Sequence, residues 1–320
     1  DRATLWHSLH LTIAPCSGDD LIALTIAALA ITTILVAWLA SGMALRALRR
    51  HNILAQPGRR SSHILPTPQG GGIAVIGATA LGWIGLGVIG IGDWPSLGVV
   101  LAATLALAIV SWFDDVGQLP VIPRFLSQVA TVTTVMFLAP MEPLTDGLLP
   151  LPLDRMLGGL LWLWFINLFN FMDGIDGITG VQTLCICFGI IGVSSIAGSG
   201  ENLILPAIIV GAAMAGFLPW NWHPARLFLG DVGSVPVGFI LGWLLLGLAG
   251  NGQWEAALVL PSYYIADATS TLLGRATRGE LIWQAHRAHF YQRAVAGRLR
   301  RRCGRYRAAP AALKALSRPS

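Results

Sequence analysis

Charged residues are scarce in this sequence, where Asp, Glu, Lys and Arg together make up 12% of 320 residues. Soluble globular chains carry about 25% charged residues, so this composition excludes an ordinary soluble protein. Hydrophobic residues account for 54% of the chain. They fall in blocks of about 17 to 25 residues, long enough to cross a hydrocarbon core of roughly 30 Å. We therefore predict an all-α, polytopic transmembrane helical bundle of nine to ten spans.

Cysteine is rare as well. Two of the four cysteines, Cys185 and Cys187, lie in an apolar run, and Cys16 and Cys303 lie near the ends. No Cys and His pair has zinc-finger spacing. The cysteines therefore favour neither a disulfide framework nor a structural zinc site.

The apolar blocks predict nine individual spans. Residues 1–19 lack the basic start and uninterrupted apolar stretch of a signal peptide, so we treat them as a poorly defined leader. We assign residues 20–295 to one transmembrane domain and residues 296–320 to a basic cytoplasmic tail. The predicted spans are Leu21–Leu45, Gly72–Ile91, Leu97–Phe113, Ile122–Leu138, Met156–Phe171, Ile178–Ala197, Leu203–Leu218, Val235–Ala249 and Ala256–Leu273.

Lysine and arginine are missing from every second loop between these spans. The loops GDWPS, APMEPLTDGLLPLPLD, AGSGEN and GNGQW contain none, whereas RALRRHNILAQPGRRSSH after the first span has five arginines. Basic residues concentrate on the cytoplasmic side of membrane proteins. Of the 21 basic residues, all except Arg2 and Arg155 lie on that side. We therefore predict an outside N-terminus and an inside C-terminus. The net charge of +5 reflects topology rather than a nucleic-acid partner.

The acidic residues are distributed differently on the two predicted sides of the membrane. On the predicted outer side they are scattered singly, where solvated roles suffice, at Asp93, Glu142, Asp146, Asp154, Glu201 and Glu255. On the inner side they cluster at the ends of apolar spans or within the last one, at Asp114, Asp115, Asp173, Asp176, Asp231 and Asp267. Carboxylates at a membrane edge are energetically costly, so the inner group is by default functional.

Two inner segments place carboxylates and amides together. In WFDDVGQLP, Asp114 and Asp115 are adjacent and repel each other unless a cation lies nearby, although a solvated helix end is the alternative. In NLFNFMDGIDG, oxygen-bearing side chains recur every three residues, at Asn167, Asn170, Asp173 and Asp176. Positions i and i+3 share a helix face, and carboxylate and amide oxygens suit Mg²⁺. A capped helix end is the alternative for this segment.

Two further inner segments suit phosphate. PWNWHPARLFLGDVGS places glycines beside Asp231, and backbone amides of such turns hold phosphate oxygens, with an ordinary capped loop as the alternative. His223 and Arg226 precede that aspartate. In ELIWQAHRAHFYQR the planar guanidinium groups of the arginines fit the geometry of phosphate. A helix that binds lipid headgroups is the alternative. Its cationic residues are His286, Arg287, His289 and Arg293. The predicted topology puts all four segments on one face, which indicates phosphoryl transfer.

At these residues the sequence resembles the polyprenyl-phosphate N-acetylhexosamine-1-phosphate transferase family over about residues 20–295. The segments that carry the resemblance are RSSHILPTPQGGG, the FDD pair, NLFNFMDGIDG, NWHPARLFLGDVGS and HRAHFYQR. The last of them is most similar to the O-antigen-initiating branch. This resemblance implies transfer of a sugar-1-phosphate from a UDP-linked N-acetylated hexosamine to undecaprenyl phosphate, with release of UMP, at a bacterial inner membrane.

The resemblance also implies roles for individual residues. Asp231 corresponds to a direct ligand of Mg²⁺, for which Mn²⁺ is an alternative, with Asn170 as a second ligand. Asp114 and Asp115 correspond to the catalytic pair, and Asp173 and Asp176 to a motif for nucleotide-sugar binding and catalysis. His286, Arg287 and His289 are expected to hold the diphosphate or sugar, and substrate binding is also expected of Asn167, His223 and Arg226. By analogy a homodimer is one option for the oligomeric state, which the sequence leaves open.

Two mechanisms remain open at this stage: direct attack of the lipid phosphate, or a phosphoenzyme formed on an aspartate. Direct attack is preferred, because a phosphate monoester with a second pKa of about 6 is already mostly ionised near pH 7. In direct attack, Asp114 or Asp115 deprotonates or orients that phosphate.

The sequence departs from the family in two places. Some members have a lysine before TPxxGG; this chain has none there, and we expect Arg60 or His63 to take its charge role. Members usually have ten or eleven spans, so we expect the C-terminal end of this chain to be truncated or altered. A secondary transporter and an intramembrane aspartyl protease are the rival classes, and UMP release separates the transferase from both.

Overall fold

The computed structural model describes residues 18–55, 66–117, 119–139, 141–145 and 147–279. Within these ranges the chain forms ten helices and one small antiparallel sheet. The helices are α1 Gly18–Arg50, α2 Gly72–Ile89, α3 Trp94–Gly117, α4 Val121–Leu138, α5 Leu151–Met172, α6 Ile178–Ala197, α7 Glu201–Asn221, α8 Asp231–Gly250, α9 Trp254–Val259 and α10 Ser262–Ala276, and the strands are β1 Leu54–Ala55 and β2 Thr67–Pro68.

Eight helices in the described part of the chain, α1 to α8, are long and apolar enough to span a membrane. The predicted polytopic all-α fold is therefore confirmed, while its orientation stays a prediction. The expected ninth span, Ala256–Leu273, is instead two shorter helices that separate at Leu260 and Pro261. Proline has no backbone N–H and clashes with the preceding turn, which accounts for the break.

Helix α8 lies at the centre of the bundle. It packs against α2, α3, α5 and α6, and 89% of its most apolar window is buried, compared with 11% for α1. A helix that is apolar on all sides is stable when it is surrounded by other helices or by lipid, and α8 is surrounded by helices. Glycine allows α2 to cross α8 closely, because a Cβ on Gly72 would lie 2.2 Å from the Cα of Gly233. The first residues of α8 are thereby held against the first residues of α2.

A short extended segment before α2 lies against the start of α8. Strand β1 pairs with β2, and Gln69 forms a parallel bridge with Phe228. The Phe228 N–H donates to the Pro68 carbonyl at 2.8 Å, and the Gly72 N–H donates to the Leu229 carbonyl at 2.8 Å. The backbone of residues 68–72 is thus fastened to the loop that leads into α8.

One acid of the opposite end is not solvated, contrary to the sequence prediction. Asp154 is 3% exposed, and its carboxylate accepts hydrogen bonds from the Leu144 and Thr145 N–H groups and from the Thr145 hydroxyl. A buried carboxylate needs such donors, because burial without partners is costly. Asp154 therefore anchors the loop between α4 and α5.

Candidate active site

The ends of α3 and α5 and the starts of α4 and α8 meet at one end of the bundle, next to residues 68–72. The last turn of α3 carries Asp114 and Asp115, the last turn of α5 carries Asn170, and α8 begins at Asp231. Direct hydrogen bonds join these elements, as described below. The structure therefore brings together four residues that the sequence analysis selected from three separate segments.

Arg124, in the first turn of α4, is the cation of this cluster among the described residues. Its guanidinium forms an ion pair with Asp114 and lies 3.4 Å from the Asp231 carboxylate through the same nitrogen. Asp114 also accepts the Leu119 N–H at 2.8 Å. One positive charge therefore holds two carboxylates from different helices together, where they would otherwise repel each other.

Asp115 faces the start of α8. One carboxylate oxygen accepts from the Gln69 side-chain amide at 2.7 Å and from the Asp231 N–H at 3.0 Å, and the other accepts from the Val232 N–H at 2.9 Å. The two adjacent aspartates thus have different environments: Asp114 is paired with an arginine, and Asp115 is bound by amides.

Asn170 links α5 to the same aspartate. Its side-chain nitrogen donates to the Asp231 carboxylate at 3.0 Å and to the Ser234 hydroxyl at 2.7 Å. Asp231 itself is 30% exposed, so part of its carboxylate faces outward from the cluster. This combination of a fixed and partly accessible carboxylate suits a ligand-binding role.

Asp173 lies just past the end of α5. The Thr179 hydroxyl donates to its carboxylate at 2.7 Å and lies 3.4 Å from the Tyr264 hydroxyl of α10. Burial raises the pKa of Asp173 to about 6; the hydrogen bond from Thr179 opposes the rise, and the negative charge of Asp115 adds to it. Asp173 therefore lies in the link between α5 and α6, one residue after the helix that carries Asn170.

Asp176 meets the loop between α7 and α8. Its carboxylate lies 2.7 Å from His223 Nδ1 and accepts the Ala225 N–H at 3.1 Å. The neighbouring Gly177 N–H donates to Asn221 at 3.0 Å, and the Asn221 side chain donates to the Leu227 carbonyl. His223 is 82% exposed, so the pair combines a loop anchor with an accessible imidazole.

The remaining predicted residues divide into two groups. Asn167 faces α4, where its side-chain nitrogen donates to Gln128 at 2.8 Å, and Arg226 lies over the Trp220 ring at 5.5 Å from its centre. Three more, His286, Arg287 and His289, lie outside the described residues, as do Arg60 and His63. Their proposed part in binding stays a prediction.

Sequence reasoning did not single out Arg124 or Gln69. Arg124 is the one basic residue between Asp115 and Asp154, which is a signal that could have identified it as the counter-charge of the acid pair. Gln69 lies directly before the three glycines at residues 70–72. Its role depends on the backbone pairing with Phe228, which no local pattern indicates.

The arrangement has the parts for chemistry on a charged phosphate group. It offers carboxylates for a divalent cation, an arginine whose planar fork matches phosphate, and a partly exposed carboxylate at a helix N-terminus. In phosphoryl transfer, the protein contributes mainly positioning and charge neutralisation.

Comparison with known proteins agrees with this chemistry. The sequence model of glycosyl transferase family 4 matches residues 97–249, from the first turn of α3 to the last turn of α8, a range that contains most of the cluster. The chain is 29% identical over 241 residues to decaprenyl-phosphate N-acetylglucosaminephosphotransferase of Mycolicibacterium smegmatis, covering 68% of this chain and 58% of that protein. The chain thus spans less than two thirds of the length of this relative.

Two other relatives extend the range. A probable undecaprenyl-phosphate N-acetylglucosaminyl 1-phosphate transferase of Bacillus subtilis is 28% identical, over 75% of this chain and 69% of that protein. A phospho-N-acetylmuramoyl-pentapeptide-transferase of Deinococcus radiodurans is 30% identical, over 54% of this chain and 59% of that protein. The family model and these relatives, together with the membrane bundle and the cluster of carboxylates, support a place for the chain in glycosyl transferase family 4, near the polyprenyl-phosphate N-acetylhexosamine-1-phosphate transferases.

Proposed function

We propose that this protein transfers a sugar-1-phosphate from a UDP-linked N-acetylated hexosamine to undecaprenyl phosphate, in the cytoplasmic membrane of a bacterium. The product would be a lipid-linked diphosphate sugar that initiates a cell-envelope polysaccharide of the O-antigen type. The observation that carries the proposal is the cluster of Asp114, Asp231 and Arg124 at one end of a membrane bundle. The names of the relatives support the substrate class.

The location of the cluster fits both substrates. A nucleotide sugar is water-soluble, whereas the phosphate of a polyprenyl lipid lies at a membrane edge. The cluster lies where α3 and α5 end and α8 begins, so it is reached from that edge. With the orientation predicted from the basic residues, this edge is the cytoplasmic one, where the nucleotide sugar is made.

The reaction brings together two negatively charged groups. An oxygen of the lipid phosphate would form a bond to the sugar-bearing phosphorus, and the bond from that phosphorus to the bridging oxygen would break. The bridging oxygen and its electron pair leave with UMP. Because three aspartates surround the site, additional positive charge is needed for the phosphates to approach.

The residues fit a divalent cation of the Mg²⁺ type, with Mn²⁺ as an alternative. Asp231 has a partly exposed carboxylate, and Asn170 lies beside it, bound through its side-chain nitrogen, so its amide oxygen is the atom that would serve as a second ligand. The described residues contain no group of three His, Cys, Asp or Glu side chains that would complete a cage. Mg²⁺ is commonly bound through one or two carboxylates, with substrate phosphates and water as the other ligands. When bound, it would supply charge neutralisation to the diphosphate.

Arg124 and Asp114 would complete the site on the side of α3 and α4. The guanidinium lies 36% exposed between two carboxylates, so it can reach an incoming phosphate without leaving the cluster. Asp114 would hold the guanidinium in that position and face the attacking phosphate. Direct attack needs little from a base, because the lipid phosphate is mostly ionised near pH 7.

The test is an assay of UMP release by the full chain in lipid nanodiscs. Undecaprenyl phosphate is combined with a panel of UDP-N-acetyl sugars, with Mg²⁺ and then with excess EDTA. We expect UMP release with at least one sugar, loss of activity in EDTA and recovery when Mg²⁺ is restored. Release of UDP instead of UMP would contradict the proposal, and so would release that EDTA does not affect. A transporter or a protease would release neither nucleotide.

A further inference from the structure

We propose that Asp115 and Gln69 form a positioning clamp that fixes the start of α8, and with it the Asp231 carboxylate. In this account Asp115 does not act on the substrate as a base or nucleophile. The inference rests on the proposed function, since it concerns how that site is held. It separates two adjacent aspartates that the sequence treats as an equivalent pair.

The hydrogen bonds of Asp115 are the first support. Gln69, the Asp231 N–H and the Val232 N–H donate to its two carboxylate oxygens at 2.7 to 3.0 Å. An ionised carboxylate has about four acceptor positions, so three of them are already used. A base or nucleophile needs a free lone pair directed at the reacting atom. Asp115 directs its lone pairs at backbone and amide donors instead.

The N-terminus of α8 is the second support. The first N–H groups of any helix have no partner within the helix and are usually satisfied by a side chain just before it. In α8 that position is Gly230, which has no side chain and makes no cap. Asp115 binds the Asp231 and Val232 N–H groups in its place, across from α3. The helix that carries Asp231 is therefore capped by a residue 116 positions earlier in the chain.

The identity of residue 230 is the third support. Gly230 has a φ of +76°, and a Cβ there would lie 2.6 Å from the Asp115 carboxylate oxygen. A side chain at this position would be both conformationally strained and in collision with the carboxylate. The backbone before α8 is thus shaped to admit Asp115.

Gln69 joins a third segment to the clamp. The Gly70 and Gly71 N–H groups donate to the Phe228 carbonyl at 3.2 and 2.8 Å, which sets the position of residue 69 relative to α8. From there the Gln69 side chain reaches Asp115. The end of α3, the segment before α2 and the start of α8 therefore converge on one carboxylate.

The experiment measures hydrogen exchange and catalysis on the same variants in nanodiscs. Exchange at the Asp231 and Val232 amides is followed by mass spectrometry with fragment resolution, without substrate. We compare wild type with Asp115→Asn, Gln69→Leu and Asp114→Asn, and use Gln253→Leu, a glutamine of the α8–α9 loop, as the control. Gln69→Leu keeps every carboxylate, so it tests the clamp even if Asp115→Asn fails to fold.

For a clamp, exchange at these two amides should rise by about tenfold or more in Asp115→Asn, rise less in Gln69→Leu, and stay unchanged in Asp114→Asn and Gln253→Leu. In the UMP assay Gln69→Leu should lower activity by about tenfold, mainly by raising the Mg²⁺ concentration needed, with an unchanged pH profile. The double variant Asp115→Asn with Gln69→Leu should have nearly the same activity as Asp115→Asn alone, because both substitutions remove the same clamp.

Two results would overturn the clamp. One is unchanged exchange in both Asp115→Asn and Gln69→Leu. The other is loss of one limb of the pH profile in Asp115→Asn together with normal activity in Gln69→Leu, which is the behaviour of a base. If wild type releases no UMP, the proposed function fails, but the exchange measurement still decides the clamp.

Discussion

Replacing Asp231 by Asn is expected to lower the rate of UMP release by about 10³-fold, or about 4 kcal/mol of transition-state stabilisation. The substitution keeps the size of the side chain and the backbone N–H that Asp115 accepts. It removes the charge that would hold a divalent cation and the partner that lies 3.4 Å from Arg124. The variant should therefore remain folded while it loses catalysis. The measurements are UMP release and thermal unfolding in the same nanodisc preparation.

Asp93→Asn is the matched control for this prediction. Asp93 is an exposed aspartate at the opposite end of the bundle, between α2 and α3. Its replacement removes the same charge and should leave activity within about twofold, since single surface changes usually have small effects. Normal turnover in Asp231→Asn would exclude Asp231 from the catalytic site. Equal losses in the two variants would point to net charge rather than position.

Arg124→Gln is expected to lower UMP release by about 10²-fold to 10³-fold. The guanidinium is the cation that the structure places between Asp114 and Asp231, so its loss leaves these carboxylates to repel each other and weakens the hold on phosphate. The loss should appear mostly in kcat and in the KM for the phosphate substrates. The measurement is a set of initial rates in which lipid phosphate and UDP-sugar are varied in turn.

Arg124→Lys separates charge from geometry. Because both contacts to the carboxylates come from one guanidinium nitrogen, a lysine ammonium can replace them, and activity should recover to within about tenfold of wild type. Arg155→Gln, at the other end of the bundle, serves as a charge control and should be nearly silent. If Arg124→Gln keeps full activity, then Arg124 is only a structural partner of Asp114.

Hydropathy alone located the membrane helices well, because a membrane span is defined by composition over about 20 residues. The predicted span Ile178–Ala197 coincides with α6, and Gly72–Ile91 differs from α2 by two residues at one end. Because hydropathy detects only the apolar part of a helix, it did not predict the polar residues at the helix ends. The predicted span Val235–Ala249 starts four residues after α8 does, so it omits Asp231, which is the first residue of the helix.

The acids of the site were predictable because a carboxylate at a membrane edge has a high desolvation free energy, so such residues usually have a function. How those acids pair was not predictable. Asp114 and Asp115 are neighbours, yet one faces an arginine on α4 and the other faces the start of α8. This division depends on where α4 and α8 lie relative to α3, which is a tertiary property without a local signal.

The predicted stripe of amides and carboxylates also shows where helix periodicity stops applying. The spacing of three puts residues on one face only while the chain is helical, and α5 ends at Met172. Asn170 therefore reaches Asp231, whereas Asp176 lies beyond the helix and binds His223 instead. Asn167, one turn earlier, meets Gln128 inside the bundle.

The most direct test of the central claim follows two labels in one reaction. A UDP-N-acetyl sugar that supports UMP release is prepared with ³²P in the phosphate next to the sugar and with tritium in the sugar, and the lipid product is extracted after incubation with undecaprenyl phosphate. Transfer of a sugar-1-phosphate predicts that both labels enter the lipid in a 1:1 ratio, while unlabelled UMP stays in the aqueous phase. Tritium in the lipid with ³²P left on UDP would contradict the account, because the enzyme would then transfer the sugar alone.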